Sequence, residues 1–88
     1  MLNINAQVRR CKVTGWFTIF YIDEYNACVS FCFQEGHNIA CDDYRLKSCE
    51  VVSIELQKEF LAQVQKYYDS LDDSRVNLKL VQKLKREA

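Results

Sequence analysis

The side chains that could do chemistry in this chain are five cysteines and one histidine. Four of the cysteines fall in a run with the histidine, Cys28-x3-Cys32-x4-His37-x3-Cys41-x7-Cys49. Thiolates and an imidazole are zinc ligands, so the inventory is sufficient for a structural metal site around Cys28, Cys32, His37 and Cys41. The spacing argues against it. On a strand, Cys28 and Cys32 point the same way but sit about 13 Å apart at 3.3 Å per residue. Tetrahedral zinc needs its ligands about 2.0–2.3 Å from one ion, and no Cys-x2-Cys knuckle is present. Reduced cysteines also fill small gaps in cores, and that is the reading preferred here. His37 follows Gly36 near Glu35, Asp42 and Asp43, where a general base with Cys32 or Cys41 as nucleophile can be drawn. Nothing in the spacing fixes that geometry, so no catalytic residue, metal or cofactor is expected and the protein is read as non-enzymatic.

Three acidic pairs, Asp23-Glu24, Asp42-Asp43 and Asp72-Asp73, fall in expected turns or caps, where Asp hydrogen-bonds its own backbone. Two glycines cannot build a phosphate loop. Basic residues cluster at Arg9-Arg10-Lys12 and at Lys79, Lys83, Lys85 and Arg86. With Trp16, Phe20 and Tyr21 nearby they could form a nucleic-acid surface, charge for phosphate and rings for bases. Twelve basic and twelve acidic side chains cancel, however, which argues against a polyanion partner.

The elements that must position these groups centre on Trp16–Ile22. This aromatic and β-branched run pairs through Asp23-Glu24-Tyr25-Asn26 with Ala27–Gln34, the pattern of a β-hairpin. By parity Phe17, Ile19 and Tyr21 share one face, and Trp16, Phe20 and Ile22 share the other with Thr18. A strand apolar on both faces wants to be covered on both. Gln7–Val13 reads as a charged edge strand protected from open-ended pairing. Residues 1–5 read as a lead-in, and Thr14-Gly15 as a turn. Glu35-Gly36-His37-Asn38 reads as another turn, 38–42 as a short strand and 43–48 as loop. Residues 54–71 carry Ile54, Leu61, Val64, Tyr68 and Leu71 at helical spacing, with Phe60 and Tyr67 widening the stripe. Ser53 is placed to cap this helix, with Gln57, Glu59, Gln63 and Lys66 on its wet side. After Asp72-Asp73-Ser74, residues 75–87 read as a second, basic helix, although Val76, Leu78 and Leu80 also alternate as a strand would.

The expected architecture is thus α+β, one domain over 1–88. A three- to four-stranded antiparallel meander is followed by a long amphipathic helix packed on the sheet and a short C-terminal helix. The first residues lack the basic and apolar regions of a signal peptide. No apolar run approaches a membrane span, so no membrane partner is expected. The odd cysteine count suits the reducing cytoplasm. One helix covers one sheet face, which leaves an apolar surplus at Trp16, Phe20 and Ile22. Either the C-terminal helix covers it or it marks an interface. The function these features favour is a small cytoplasmic binding, adaptor or regulatory protein. It would act through protein–protein contacts as a homodimer, with an unidentified protein as further partner and Trp16, Phe20, Ile22 and Tyr25 as anchors. The alternatives are a nucleic-acid-binding regulator using Arg9, Arg10, Lys12, Lys83, Lys85 and Arg86, and a zinc- or thiol-dependent site at the cysteines.

Overall fold

The expected hairpin forms the middle of the sheet. In the computed structural model, which describes residues 2–71 and 75–85, β2 (Phe17–Ile22) pairs antiparallel with β3 (Cys28–Cys32), Ile19 opposite Phe31 and Tyr21 opposite Val29. The turn closes because Asn26 accepts φ 63° and the Asp23 carboxylate takes the N–H groups of Tyr25 and Ala27, each at 2.9 Å. Asn is among the few residues that enter the left-handed region cheaply.

On the far side of β2 lies β1 (Leu2–Cys11), and beyond β3 lies β4 (Gly36–Ile39). The β3–β4 turn falls at residues 33–35, earlier than expected, because Gly36 takes its φ of 75° at the first position of β4. The fourth strand is correspondingly 36–39, not 38–42.

Strand β1 is not an edge. Besides β2 it pairs antiparallel with the two-residue β5 (Cys49–Glu50) and parallel with β6 (Val76–Leu80). Residues 1–5 are expected as a lead-in, but residues 2–6 supply the whole β6 ladder. Leu2 donates to Arg75 O and Ala6 accepts from Val81 N, while Lys12 donates to Ser48 O. Even-numbered β1 residues therefore serve β6 and then β5, and odd-numbered ones serve β2, as Cys11 N donating to Trp16 O shows. β5 and β6 divide one side of β1 between them.

The predicted C-terminal helix is a correction: residues 76–80 are strand. The stripe Val76, Leu80, Val81 and Leu84 suits a helix, but a helix this short is marginal by itself in water. As a strand, residues 76–80 find five partners on β1 and point Leu78 into the core. The expected break at Asp72-Asp73-Ser74 lies outside the described residues, as does Arg86.

The long helix α1 (Ile54–Asp69) is capped by Ser53, whose hydroxyl accepts from Leu56 N, with Glu55 in the first turn. It packs Phe60, Val64 and Tyr68 onto Ala6, Val8, Ile19, Phe31 and Leu78, forming the larger core. Its buried line runs 57, 60, 64, 68, so Ile54 and Leu71 of the expected stripe are exposed and Gln57, placed on the wet side, is buried. Burial is possible because the Gln57 amide donates to Val52 O at 2.7 Å and accepts from Gln82 Nε2 at 2.8 Å.

The second cover also comes from elsewhere. Residues 43–48, expected as loop, include a π-helical turn, Tyr44–Ser48. Ala40 and Leu84 pack on a smaller core of Cys11, Phe20, Cys28 and Cys49, with the Tyr44 ring 6.3 Å from that of Phe20. Among the described residues, no helix is long and apolar enough to cross a membrane.

Candidate functional site: a thiol-lined cleft and an open sheet edge

The sheet separates the sequence-derived candidates by face. His37 pairs with Phe31, on the helix side, and its Nε2 shares a 2.7 Å hydrogen bond with the Tyr68 hydroxyl. Its ring lies 4.6 Å from that of Phe31. Burial against these rings holds the imidazole below its ordinary pKa. Cys28 and Cys32 lie on the opposite face with Phe20, so β3 itself stands between the histidine and these cysteines. Among the described residues, no group of three His, Cys, Asp or Glu side chains converges on a point that could hold a metal ion.

The four proposed anchors are not a patch either. Phe20 is fully enclosed, 0% exposed, and is core. Ile22 packs partly against the same cluster. Trp16 is half-buried at one end of β2 and Tyr25 is 82% exposed beyond the other, about 20 Å of strand away. The apolar surplus on this face is consumed within the chain by Tyr44, Ala40 and Leu84.

The basic residues are likewise parted and occupied. Arg10 and Arg9 are successive on β1 and so point to opposite faces. Arg10 pairs with Glu50 and lies over the Phe17 ring, 5.9 Å from its centroid. Arg9 donates to Cys49 O and to Gln7, and Lys12 donates to Lys47 O. Lys83 and Lys85 line a groove of about 900 Å³ that they share with Asp23 and Glu24, so both signs meet there.

On the face away from the helix is a cleft of about 280 Å³, walled by Cys11, Trp16, Cys32, Cys41 and Tyr44. Cys11 ends β1, where the chain turns through residues 12–15 and Gly15 N donates back to Cys11 O at 2.9 Å, which sets Val13 and Thr14 beside the thiol. Their polar groups, the Thr14 hydroxyl first, outweigh burial to bring the thiol down to about 7. Directly across the β1–β5 ladder stands Cys49, whose thiol burial pushes up. The Tyr44 hydroxyl is pushed up, first by burial and then by the two neighbouring thiols. Sequence reasoning missed this pair because Cys11 and Cys49 are far apart in the chain and β5 is only two residues long, too short to carry a pattern.

The second feature is the outer edge of β4. Ala40 N donates to Cys28 O, so the even residues of β4 serve β3 and the N–H and C=O groups of His37 and Ile39 point outward. β4 is terminal in the sheet, and Ile39 is 73% exposed. Beside it Phe33 and Tyr67 are part-exposed, their rings 5.7 Å apart, Tyr67 stacked on Phe31 and Phe33 edge-on to it. The edge of β6 is different: Gln65 of α1 donates to Val76 O at 2.8 Å and accepts from Leu78 N at 2.7 Å, standing in for a neighbouring strand.

Among the described residues, fold and site together define a small α+β protein with a six-stranded sheet, one long helix, an open edge and a cysteine-lined cleft. The chain matches no protein-family model, no curated protein and no solved structure.

Proposed function

We propose that this chain is a small non-catalytic binding or adaptor protein of the cytoplasm. It acts through protein–protein contacts as a homodimer, and strand β4 carries the contact. The observation behind this reading is the asymmetry of the sheet edges. Gln65 closes the edge of β6 and β5 spans two residues, whereas β4 offers outward N–H and C=O groups at both His37 and Ile39. Unpaired edges are templates for another strand, and proteins that stay monomeric blunt them with Lys, Pro or a cover. Gly36-His37-Asn38-Ile39 has neither Lys nor Pro.

The strand is also self-complementary. With a twofold axis at Asn38, antiparallel pairing sets His37 opposite Ile39 of the second copy, and each exchanges both backbone hydrogen bonds. The exposed Ile39, Phe33 and Tyr67 flank that junction on the helix side. A net charge of zero adds no long-range repulsion between copies. The interface thus replaces the Trp16, Phe20, Ile22 and Tyr25 set, of which only Tyr25 is widely exposed.

Sedimentation equilibrium of the reduced protein tests the reading. The expected result is a dimer that Ile39→Lys converts to monomer, with Tyr25→Ala unchanged. A wild-type monomer at tens of micromolar, or an Ile39→Lys dimer of unchanged affinity, would rule it out.

A further inference from the structure

We propose that Cys11 and Cys49 form a two-thiol modification site that a hydroperoxide oxidises to a disulfide across the β1–β5 ladder, Cys11 reacting first. This inference is independent of the β4 interface.

The register carries it. Lys12 N donates to Ser48 O, and the same antiparallel register pairs Arg10 with Glu50 and Cys11 with Cys49. Hydrogen-bonded and non-hydrogen-bonded pairs alternate along such a ladder, so Cys11 and Cys49 occupy a non-hydrogen-bonded pair. Cα atoms there lie about 4.5 Å apart, inside the roughly 4.4–6.8 Å range that a disulfide spans, and the side chains share one face. The backbone need not move for the bond to close.

Access and order of reaction follow from the surroundings. Cys11 is only 7% exposed but walls the open cleft, which admits a molecule the size of hydrogen peroxide. It sits at the turn that carries Val13 and Thr14, whose polar groups favour the thiolate that attacks peroxides. Cys49 is 1% exposed, packed among Cys11, Phe20 and Cys28, and keeps its proton, so it waits as the resolving thiol.

The steps balance. The Cys11 thiolate attacks one peroxide oxygen: an S–O bond forms, the O–O bond breaks, and hydroxide leaves to take up a proton as water. The sulfur of Cys49 then attacks the Cys11 sulfenic sulfur. An S–S bond forms, the S–O bond breaks, and the departing hydroxide takes the Cys49 proton as a second water. Two thiols lose two electrons in total, and one peroxide gains them.

The experiment is to treat the fully reduced chain with a slight excess of hydrogen peroxide, block remaining thiols, and map peptides by mass spectrometry. The expected product has lost two hydrogens, links Cys11 to Cys49, and leaves Cys28, Cys32 and Cys41 blocked as free thiols. In Cys49→Ser the expected product is a sulfenic acid at Cys11 that a dimedone-type reagent traps. Should that variant fail to fold, the wild-type map decides alone. A first-formed bond between any other pair, a disulfide between two chains, or oxidation of the exposed Cys41 while Cys11 and Cys49 stay free would overturn the proposal.

Discussion

At the residue scale, the buried glutamines have their partners already in place, whereas Arg45 keeps one buried nitrogen, Nε, without one among the described residues. Gln7 is 5% exposed, yet its amide donates to Gln82 O at 2.7 Å and accepts from Arg45 Nη1 at 3.0 Å and Arg9 Nε at 3.3 Å. One neutral side chain thus ties β1 to both segments that cover this face, and it holds a buried arginine whose other partner is Asp42 at 3.5 Å. None of this was legible in the sequence, where Gln7 sits in a mixed polar run and Arg45 in an expected loop. His37 supports a prediction at the same scale. Burial lowers its pKa below the ordinary 6.5, so the unfolded chain binds the proton more tightly than the folded one. The neutral ring's contribution to stability is therefore complete above about pH 6.5 and is lost as pH falls through the folded value. NMR titration of the single histidine should give a midpoint below 6.5, and His37→Phe should flatten the acid limb of the stability profile. A midpoint at or above 6.5 would contradict the burial argument.

At the element scale, what could be read from the sequence was what a short window encodes. The β2–β3 hairpin, its Asn-containing turn and the Ser53-capped helix all rest on neighbours within a few residues. What could not be read was set by distant partners. β1 looked like an edge because its charges suggest exposure, but Arg9 and Arg10 lie on an interior strand with Gln7, Cys49 and Glu50 as acceptors. Residues 76–80 fit two periodicities, and the choice was made by the vacant side of β1 and by Gln65. That glutamine's amide completes the backbone pairing of β6 as a strand would, donating to Val76 O and accepting from Leu78 N. In Gln65→Ala both groups lose their partner. The expected cost is about 1–3 kcal/mol for leaving buried backbone groups unsatisfied. Hydrogen exchange should show it as faster exchange at Leu78 N–H, with the β2–β3 amides unaffected. Equal acceleration in both regions would mean that Gln65 acts on global stability and not on β6.

At the scale of the whole molecule, β1 is the hub, since it alone pairs with β2, β5 and β6. The β1–β6 ladder joins the first described strand to the last, Leu2 beside Val76 and Ala6 beside Leu80. Such a contact closes almost the entire chain into one loop, and pairings of that separation form late and slowly. The hairpins β1–β2–β3–β4 are local and need no such closure. The transition state for folding should therefore contain the meander and lack β6. Leu78 reports on this, because it is the buried residue of β6 and packs against the α1 and β1 side chains of the larger core. Leu78→Ala removes most of a buried side chain, at an expected cost of about 2–4 kcal/mol. For a chain this small, that is a large share of its stability. If β6 docks after the barrier, the loss appears almost wholly as faster unfolding, with refolding little changed. Ile19→Val, in the heart of the hairpin, should instead slow refolding. Stopped-flow kinetics over a range of denaturant separates the two cases. Slower refolding of Leu78→Ala by the full equilibrium effect would place the β1–β6 closure at the barrier and make the chain's ends its folding nucleus.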